Sequence, residues 1–455
     1  MARKGMRAVH GWLPVVLPAE AKRFRVADPD LAANLKEAGA TLVDVGPEVE
    51  IARVASELRG DAALAVVSIV GPESRAGYAI LRAARRAFRS LETRLLAART
   101  RRQLRRRGYP VASVFLWDLA LRVGLPGLTE ASPSLAQRLS RYALVIGRKG
   151  EPEPTAVAAA LEAAERESGR NLVPHWSSMQ PGLVALAVDG SLLRVAIGRT
   201  RDQIDNSLAA LEALRAGDPP AAVADRVPWP LARGKTGLAD WSLERLLPGE
   251  RPSREVPEPL LGDCIDFLVG LGRQRGNGSP PRTFAELAAT LSEVASADSV
   301  VLLEALAQRL ETRLAGVPRC FAHGDFFAGN LLADEGRLTG VVDWDAAGPG
   351  RLPLLDLLHL IVTRSGPFAD DEWGAAVLAR LLPLARAGGD ETIARYGRGI
   401  GVELTGELLE ALVVAYWLDY TAFQLRTHRI RRLQPRWLEH NVERVVQSAT
   451  ESLAS

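Results

Sequence analysis

Cysteine is almost missing from this 455-residue chain, with Cys264 and Cys320 the only two. Two are too few for a disulfide framework, and neither belongs to a C-x-x-C pair that would hold zinc, which predicts a reducing, cytoplasmic compartment. Long apolar runs are lacking too. The longest is about ten residues, around Ala62–Val70, against the ~20 needed to span a bilayer, so no transmembrane segment is expected. The stretch after Met1 is broken by His10, Gly11 and Pro14 and has no small-residue cleavage site, so it does not read as a signal peptide. Lysine is scarce: five of the 57 basic residues, leaving 52 arginines. Against 54 acids the formal charge is only +3, which gives no bulk reason to expect a nucleic-acid partner. A P-loop is also excluded, because Lys235 in RGKTG needs glycine at 229 and finds Trp229.

What is present is ordinary globular material, 47% apolar and 24% charged. At roughly 100–200 residues per domain, the length predicts two to four domains. Over residues 1–150 short apolar runs (24–28, 41–45, 62–70, 111–117 and 142–147) alternate with helical stretches, which predicts a Rossmann-like, three-layer α/β domain. The order of its late elements, a long helix ending RRRGYP before one strand and YALVIGRKG forming another, resembles the second half of a class I methyltransferase sheet. No glycine follows the first strand in FRVADPD, so S-adenosylmethionine binding is not expected. The long helix, predicted over 76–107, carries eleven arginines from Arg82 to Arg107 against one acid, Glu92. Three readings compete for it: a solvated face, a face that docks on the rest of the chain or on another protein, and a patch for an anionic surface. Nucleic acid ranks last, since only Tyr78 and Phe88 interleave the arginines.

GRKGEPEP (147–154) reads as a domain boundary. Beyond it come an Ala-rich helix at 155–168, a hairpin turning at Asp189-Gly190, a helix over 201–216, the strand WSLERLLPG (241–249), and mostly helix to the end. The most chemically specific segment is 320–360, CFAHGDFFAGNLLADEGRLTGVVDWDAAGPGRLPLLDLLHL. A carboxylate on a tight loop, Asp325, can accept a hydrogen bond from a substrate hydroxyl. An amide oxygen five residues on, at Asn330, and a second carboxylate after a hairpin, at Asp343, supply hard oxygen ligands for Mg²⁺ on a triphosphate. The alternative is that these acids merely cap turns.

HGDFFAGN, VVDWD and Asp356-Leu357 together resemble the signature of the aminoglycoside phosphotransferase and choline kinase family. The resemblance covers about 155–455 and implies an α+β, two-lobed protein-kinase-like domain, with an N-lobe at 155–245 and a helical C-lobe at 246–455. It implies ATP and Mg²⁺ as cofactors and a small-molecule hydroxyl as acceptor: a sugar, aminoglycoside, amino alcohol or nucleoside. In that reading Asp325 is catalytic, Asn330 and Asp343 hold metal, and His323 and Asp356 brace the loop. Arg194 in LLRVAIG takes the place of the phosphate-binding lysine, with Glu212 as the available helix partner. Backbone groups of Glu244, Arg245 and Leu246 meet the adenine, and the loop HWSSMQPGL, through Ser177, Ser178 and Gly182, lies over phosphate. For Arg194 a solvent-pointing strand residue stays open, and for 241–249 an ordinary edge strand. A pseudokinase-type nucleotide-binding scaffold is the alternative function. Glu403, Glu407 and Glu410 fall at i, i+4, i+7, giving either a solvated face or an acidic acceptor cleft; Tyr416, Tyr420 and Phe423 give either core or a stacking surface. His359 reads as a core histidine and Asp345 as a turn cap.

Overall fold

The computed structural model describes the strand residues 23–26, 41–45, 64–70, 111–116 and 142–147, and residues 156–453 apart from 181–182, 238, 253–255, 275–281, 365–372, 428–431 and 433. The chain divides into two compact units. One comprises residues 1–205 and 229–246, the other 206–228 and 247–455.

The first unit contains two sheets. Strands β1 (Arg23–Val26), β2 (Thr41–Val45), β3 (Leu64–Val70), β4 (Val111–Leu116) and β5 (Tyr142–Gly147) form one, ordered β2-β1-β3-β5-β4. β1 pairs parallel with β2 and β3, whereas β5 runs antiparallel between β3 and β4. All five expected apolar runs therefore contain strands. The segments joining them, including the arginine-rich 76–107, lie outside the described residues, so the three-layer expectation and the readings of that helix do too.

The second sheet is ordered β6-β7-β8-β10-β9, from β6 (Pro174–Gln180), β7 (Leu183–Val188), β8 (Ser191–Ile197), β9 (Pro230–Thr236) and β10 (Ala239–Arg245), every adjacent pair antiparallel. Gly190 takes φ +66° in the tight β7–β8 turn, a conformation nearly free for glycine and costly for a side chain. Helix α1 (Ala156–Ser168) buries its alanines Ala156, Ala160, Ala163 and Ala164, whose small side chains let it approach the sheet closely over β8, β9 and β10. The central strands β8 and β10 are buried on both faces, β8 as a largely apolar run and β10 with the buried polar residues Asp240, Ser242 and Glu244 between apolar ones, while the edge strand β9 alternates half-buried with exposed residues. Two expectations change here. Residues 174–180 form a strand, not a phosphate-covering loop: Ser177 and Ser178 sit in ladder register opposite Leu186 and Ala185, because the alternating run simply extends the hairpin by one strand. The 241–249 segment is not an edge either, since β10 lies between β8 and β9.

Helix α2 (Arg201–Ala216) leads into the second unit, which is mostly helical: α3 (Glu258–Gly272), α4 (Phe284–Ser292), α5 (Ala297–Leu314), α6 (Leu355–Thr363), α7 (Glu391–Ile400), α8 (Gly406–Thr427) and α9 (Arg444–Ser452), with short turns between. α4 opens on a capping box, Thr283 with Glu286, and α7 on Asp390, which accepts from the Ile393 amide; each supplies an acceptor to an orphan donor of the first turn. Two short hairpins interrupt the helices, β11 (Cys320–Ala322) with β14 (Gly348–Arg351), and β12 (Leu331–Asp334) with β13 (Arg337–Val341). The second turns at Glu335 and Gly336, both left-handed. Its β13 is pinned to α3 by a fork: Arg337 Nε and Nη2 each donate to the Asp263 carboxylate at 2.7 Å, and the Leu338 amide adds a third bond at 3.0 Å. Among the described residues no helix is long and apolar enough to cross a membrane.

Candidate active site

The loop carrying His323, Gly324 and Asp325 follows β11 directly, and its conformation is enforced from three sides. Gly324 has φ +82°, and a Cβ there would lie 2.3 Å from the Ala346 carbonyl oxygen, so no other residue fits. The Asp356 carboxylate, in the first turn of α6, accepts the His323 amide at 2.7 Å and the Gly324 amide at 2.8 Å. These are charge-assisted bonds to backbone groups that would otherwise be buried unpaired. His323 is fully buried. Its Nε2 lies 3.1 Å from the Val342 carbonyl, so this nitrogen carries the proton and donates. Its ring meets Trp344 and Phe326 edge-on, with Phe267 of α3 stacked on Phe326. The loop therefore stands on an aromatic floor.

Asp325 points away from that floor. The Asn330 amide group donates to its main-chain carbonyl at 2.9 Å and to its carboxylate at 3.1 Å, closing the five-residue loop on itself. On the other side the His359 Nε2 lies 3.4 Å from the Asp325 Oδ1. His359 is buried and its Nδ1 is 3.0 Å from the Tyr416 hydroxyl, so a chain runs from Tyr416 through His359 to Asp325. Burial pushes the Asp325 carboxyl up, but the His359 hydrogen bond and charge, with smaller contributions from His323 and Asn330, outweigh it and hold the group below the usual carboxylate range. Asp325 is thus an ionised acceptor at neutral pH.

The β12–β13 hairpin brings the two remaining oxygen donors to its open end. Asn330 immediately precedes β12, Asp343 follows β13 by one residue, and the Val342 amide donates to the Asn330 carbonyl at 2.9 Å. Asp343 takes a left-handed conformation, φ 69°, an uncommon state for a side-chain-bearing residue and one that marks functional turns. Among the described residues nothing hydrogen-bonds its carboxylate. With the Asn330 NH₂ spent on Asp325, its Oδ1 and the Asp343 carboxylate are the hard oxygens left to a divalent cation. No cluster of three or more His, Cys, Asp or Glu that could hold a metal ion occurs among the described residues.

A cavity of about 440 Å³ opens beside the loop, floored by Gly324, Ala346 and Asp356 and walled by His359 together with Tyr416, Tyr420 and Phe423 of α8. The aromatic triplet is therefore both core and lining: Tyr416 is buried, while Tyr420 packs on Trp373 with ring centroids 4.1 Å apart. Asp345, read from sequence as a turn cap, lies in the short turn Trp344–Ala346 and lines the same cavity. The acidic stripe does not form. Glu403 precedes the helix, Glu407 is exposed, and Glu410 pairs with Arg386 and Ser452.

In the first unit Arg194 is buried in β8, not turned to solvent, and its guanidinium lies 3.5 Å from Glu244 of β10, whose carboxylate also accepts from Ser242 at 2.7 Å. The acid paired with Arg194 thus comes from the neighbouring strand, where sequence reasoning looked for a helix glutamate. The amides of Arg245 and Leu246 donate to the carbonyls of Trp229 and Gly190, so these two donors are already committed within the sheet, contrary to the adenine contact expected of them. Gly182 lies outside the described residues. Lys235 pairs with Asp240 at 3.0 Å.

His359 is the buried histidine that the sequence predicts, and what the sequence did not show is its approach to Asp325. Its run LLDLLHLIV looks like pure core, and the signal available was only its position three residues after Asp356, close to one turn along the same helix.

A family model described as the phosphotransferase enzyme family matches residues 190–393. Among solved structures, the aminoglycoside phosphotransferase APH(2'')-Ib with ADP bound is 15% identical over 64% of this chain and 97% of its own, with a TM-score of 0.44. A choline/ethanolamine kinase family protein from Mesorhizobium loti is 18% identical over 64% and 97%, with a TM-score of 0.41. No curated protein matches the chain in sequence.

Proposed function

We propose that this protein, whose residues 190–393 match the phosphotransferase enzyme family model, transfers the γ-phosphoryl group of ATP to a hydroxyl of a small molecule. The observation that carries the proposal is Asp325: an ionised carboxylate on an enforced loop, held by Asn330 and by His359, which with the adjacent Gly324 lines a cavity large enough for a small acceptor. The acceptor hydroxyl donates to Asp325, which aligns its oxygen on the γ-phosphorus. As the new O–P bond forms, the bond to the ADP oxygen breaks and the hydroxyl proton passes to the carboxylate. A carboxyl held below its usual range is a weak base, which suits a loose transition state in which positioning matters more than early proton removal. Asn330 and Asp343 would hold Mg²⁺, which when bound neutralises phosphate charge.

The test is ADP release by full-length protein with MgATP across sugars, aminoglycosides, amino alcohols and nucleosides. Asp325→Asn keeps the volume and removes the charge, and is expected to lower kcat by about 10²–10⁴-fold. Full activity in that variant would refute the assignment. The committed amides of Arg245 and Leu246 favour a second reading, a scaffold that has lost nucleotide binding; absence of any thermal shift with MgATP would select it.

A further inference from the structure

The far end of the cavity holds more positive charge than the protein balances. Arg282, Arg351 and Arg426 all line it, with Asp419 between them. Arg351 is satisfied: its Nη1 pairs with Asp419 at 3.1 Å and its Nη2 donates to the Ala346 carbonyl at 2.9 Å. Neither Arg282 nor Arg426 makes an ion pair among the described residues, and the buried Nη1 of Arg426 has no hydrogen-bond partner at all. Burial, then repulsion from Arg282, pushes the Arg426 guanidinium down to about 10, with Asp419 opposing. A buried guanidinium N–H without a partner is costly, and an oxyanion entering the cavity would supply the acceptor it lacks.

The cavity's other carboxylates do not offset this end. Asp356 is occupied by the two loop amides. Asp345 belongs to the short turn after Asp343, and among the described residues neither it nor Asp356 makes an ion pair with Arg282 or Arg426. On α8, Tyr416, Phe423 and Arg426 stand at i, i+7 and i+10, so the basic end is displaced about 15 Å along the helix from the Tyr416–His359 end, less the reach of an arginine.

Resting on the phosphotransferase reading, we propose that the acceptor is an anionic hydroxyl compound of sugar size or larger, bearing a compact oxyanion that Arg282 and Arg426 bind while Asp325 receives its hydroxyl. Phosphate and carboxylate share this chemistry. Tyr420 and Phe423 line the span between the ends and offer a ring surface for a sugar. A polycationic acceptor would meet two uncompensated guanidinium groups.

The experiment compares a matched set on full-length protein with MgATP: glucose, glucosamine, glucuronate and glucose 1-phosphate. At least one of the two anions is expected to exceed glucose at least tenfold in kcat/KM, mainly through KM, and which one does so separates phosphate from carboxylate. In Arg282→Gln/Arg426→Gln the anion-to-glucose ratio is expected to fall toward one, with partial rescue by Arg426→Lys. Preference for glucose or glucosamine, or an unchanged ratio in the double variant, would overturn the proposal while leaving the phosphotransferase reading intact. If no sugar turns over, calorimetry with inorganic phosphate decides: binding at least tenfold weaker in the double variant supports the anion site and places the failure in the phosphotransferase reading, whereas equal or absent binding in both proteins refutes the site.

Discussion

Replacing Gly324 with alanine tests whether the catalytic loop is held as described. Alanine at φ +82° costs about 1–2 kcal/mol in backbone conformation alone. Its Cβ would also lie 2.3 Å from the Ala346 carbonyl oxygen, a backbone atom tied to the Arg351 guanidinium and unable to retreat cheaply. The loop must therefore move, and the bonds at risk are the two from the His323 and Gly324 amides to Asp356, each worth about 1.5–3 kcal/mol as a hydrogen bond to a charged group. Losing one of them on top of the backbone term gives about 3–5 kcal/mol, enough to raise the local opening constant by about 10²–10³-fold or more. Hydrogen exchange of peptides covering 320–330 reads this directly. Gly336→Ala is the control: φ is +76° but nothing lies within 4 Å of its Cβ, so only the conformational term of about 1–2 kcal/mol applies. If the two variants open with free energies within 1 kcal/mol of each other, the packing argument is wrong.

Three further outcomes follow from the same geometry. His359→Phe and Tyr416→Phe each remove the bond between the rings, and a double-mutant cycle in urea unfolding is expected to show about 0.5–1.5 kcal/mol of coupling; zero coupling would mean that the pair is not formed. Asp263→Ala orphans the buried Leu338 amide while Arg337 stays in solvent, so the cost is set by the amide and the lost fork, about 1–3 kcal/mol at pH 7. The Arg337 hydrogen bond holds the Asp263 carboxyl below its ordinary value against burial, so its contribution is complete above the unfolded pKa near 4 and is lost as pH falls through the lower folded value; the variant and parent should converge in stability toward pH 3. Burial, reinforced by the Asp263 carboxylate, pushes the Cys264 thiol up to about 12, so native protein should resist an aromatic disulfide reagent at pH 8 through this residue and react only after unfolding.

The chemistry of the site was local in the chain. HGDFFAGN packs an acid, a glycine that alone fits a left-handed turn and an amide five residues on into one loop, and a hairpin returns Asp343 to that amide, so sequence order alone brings them together. Strand positions were legible for the same reason, since apolar alternation is a short-range pattern. What sequence did not determine is every pairing that depends on separate elements meeting. His359 reads as core because helix α6 is apolar all round, and only the approach of α8 sets Tyr416 on one ring nitrogen while the loop sets Asp325 near the other. Arg194 finds its acid on the adjacent strand at Glu244, two positions along from its register partner Ser242 and on the same face, because strand pairing, not helix spacing, brings them together. Arg282, Arg351 and Arg426 lie 144 positions apart at the extremes and look like three of 52 unremarkable arginines. Their meaning comes from lining one cavity in which the nearby acid, Asp419, is paired with Arg351 alone, since charge balance is a property of a volume and the chain order carries no record of it.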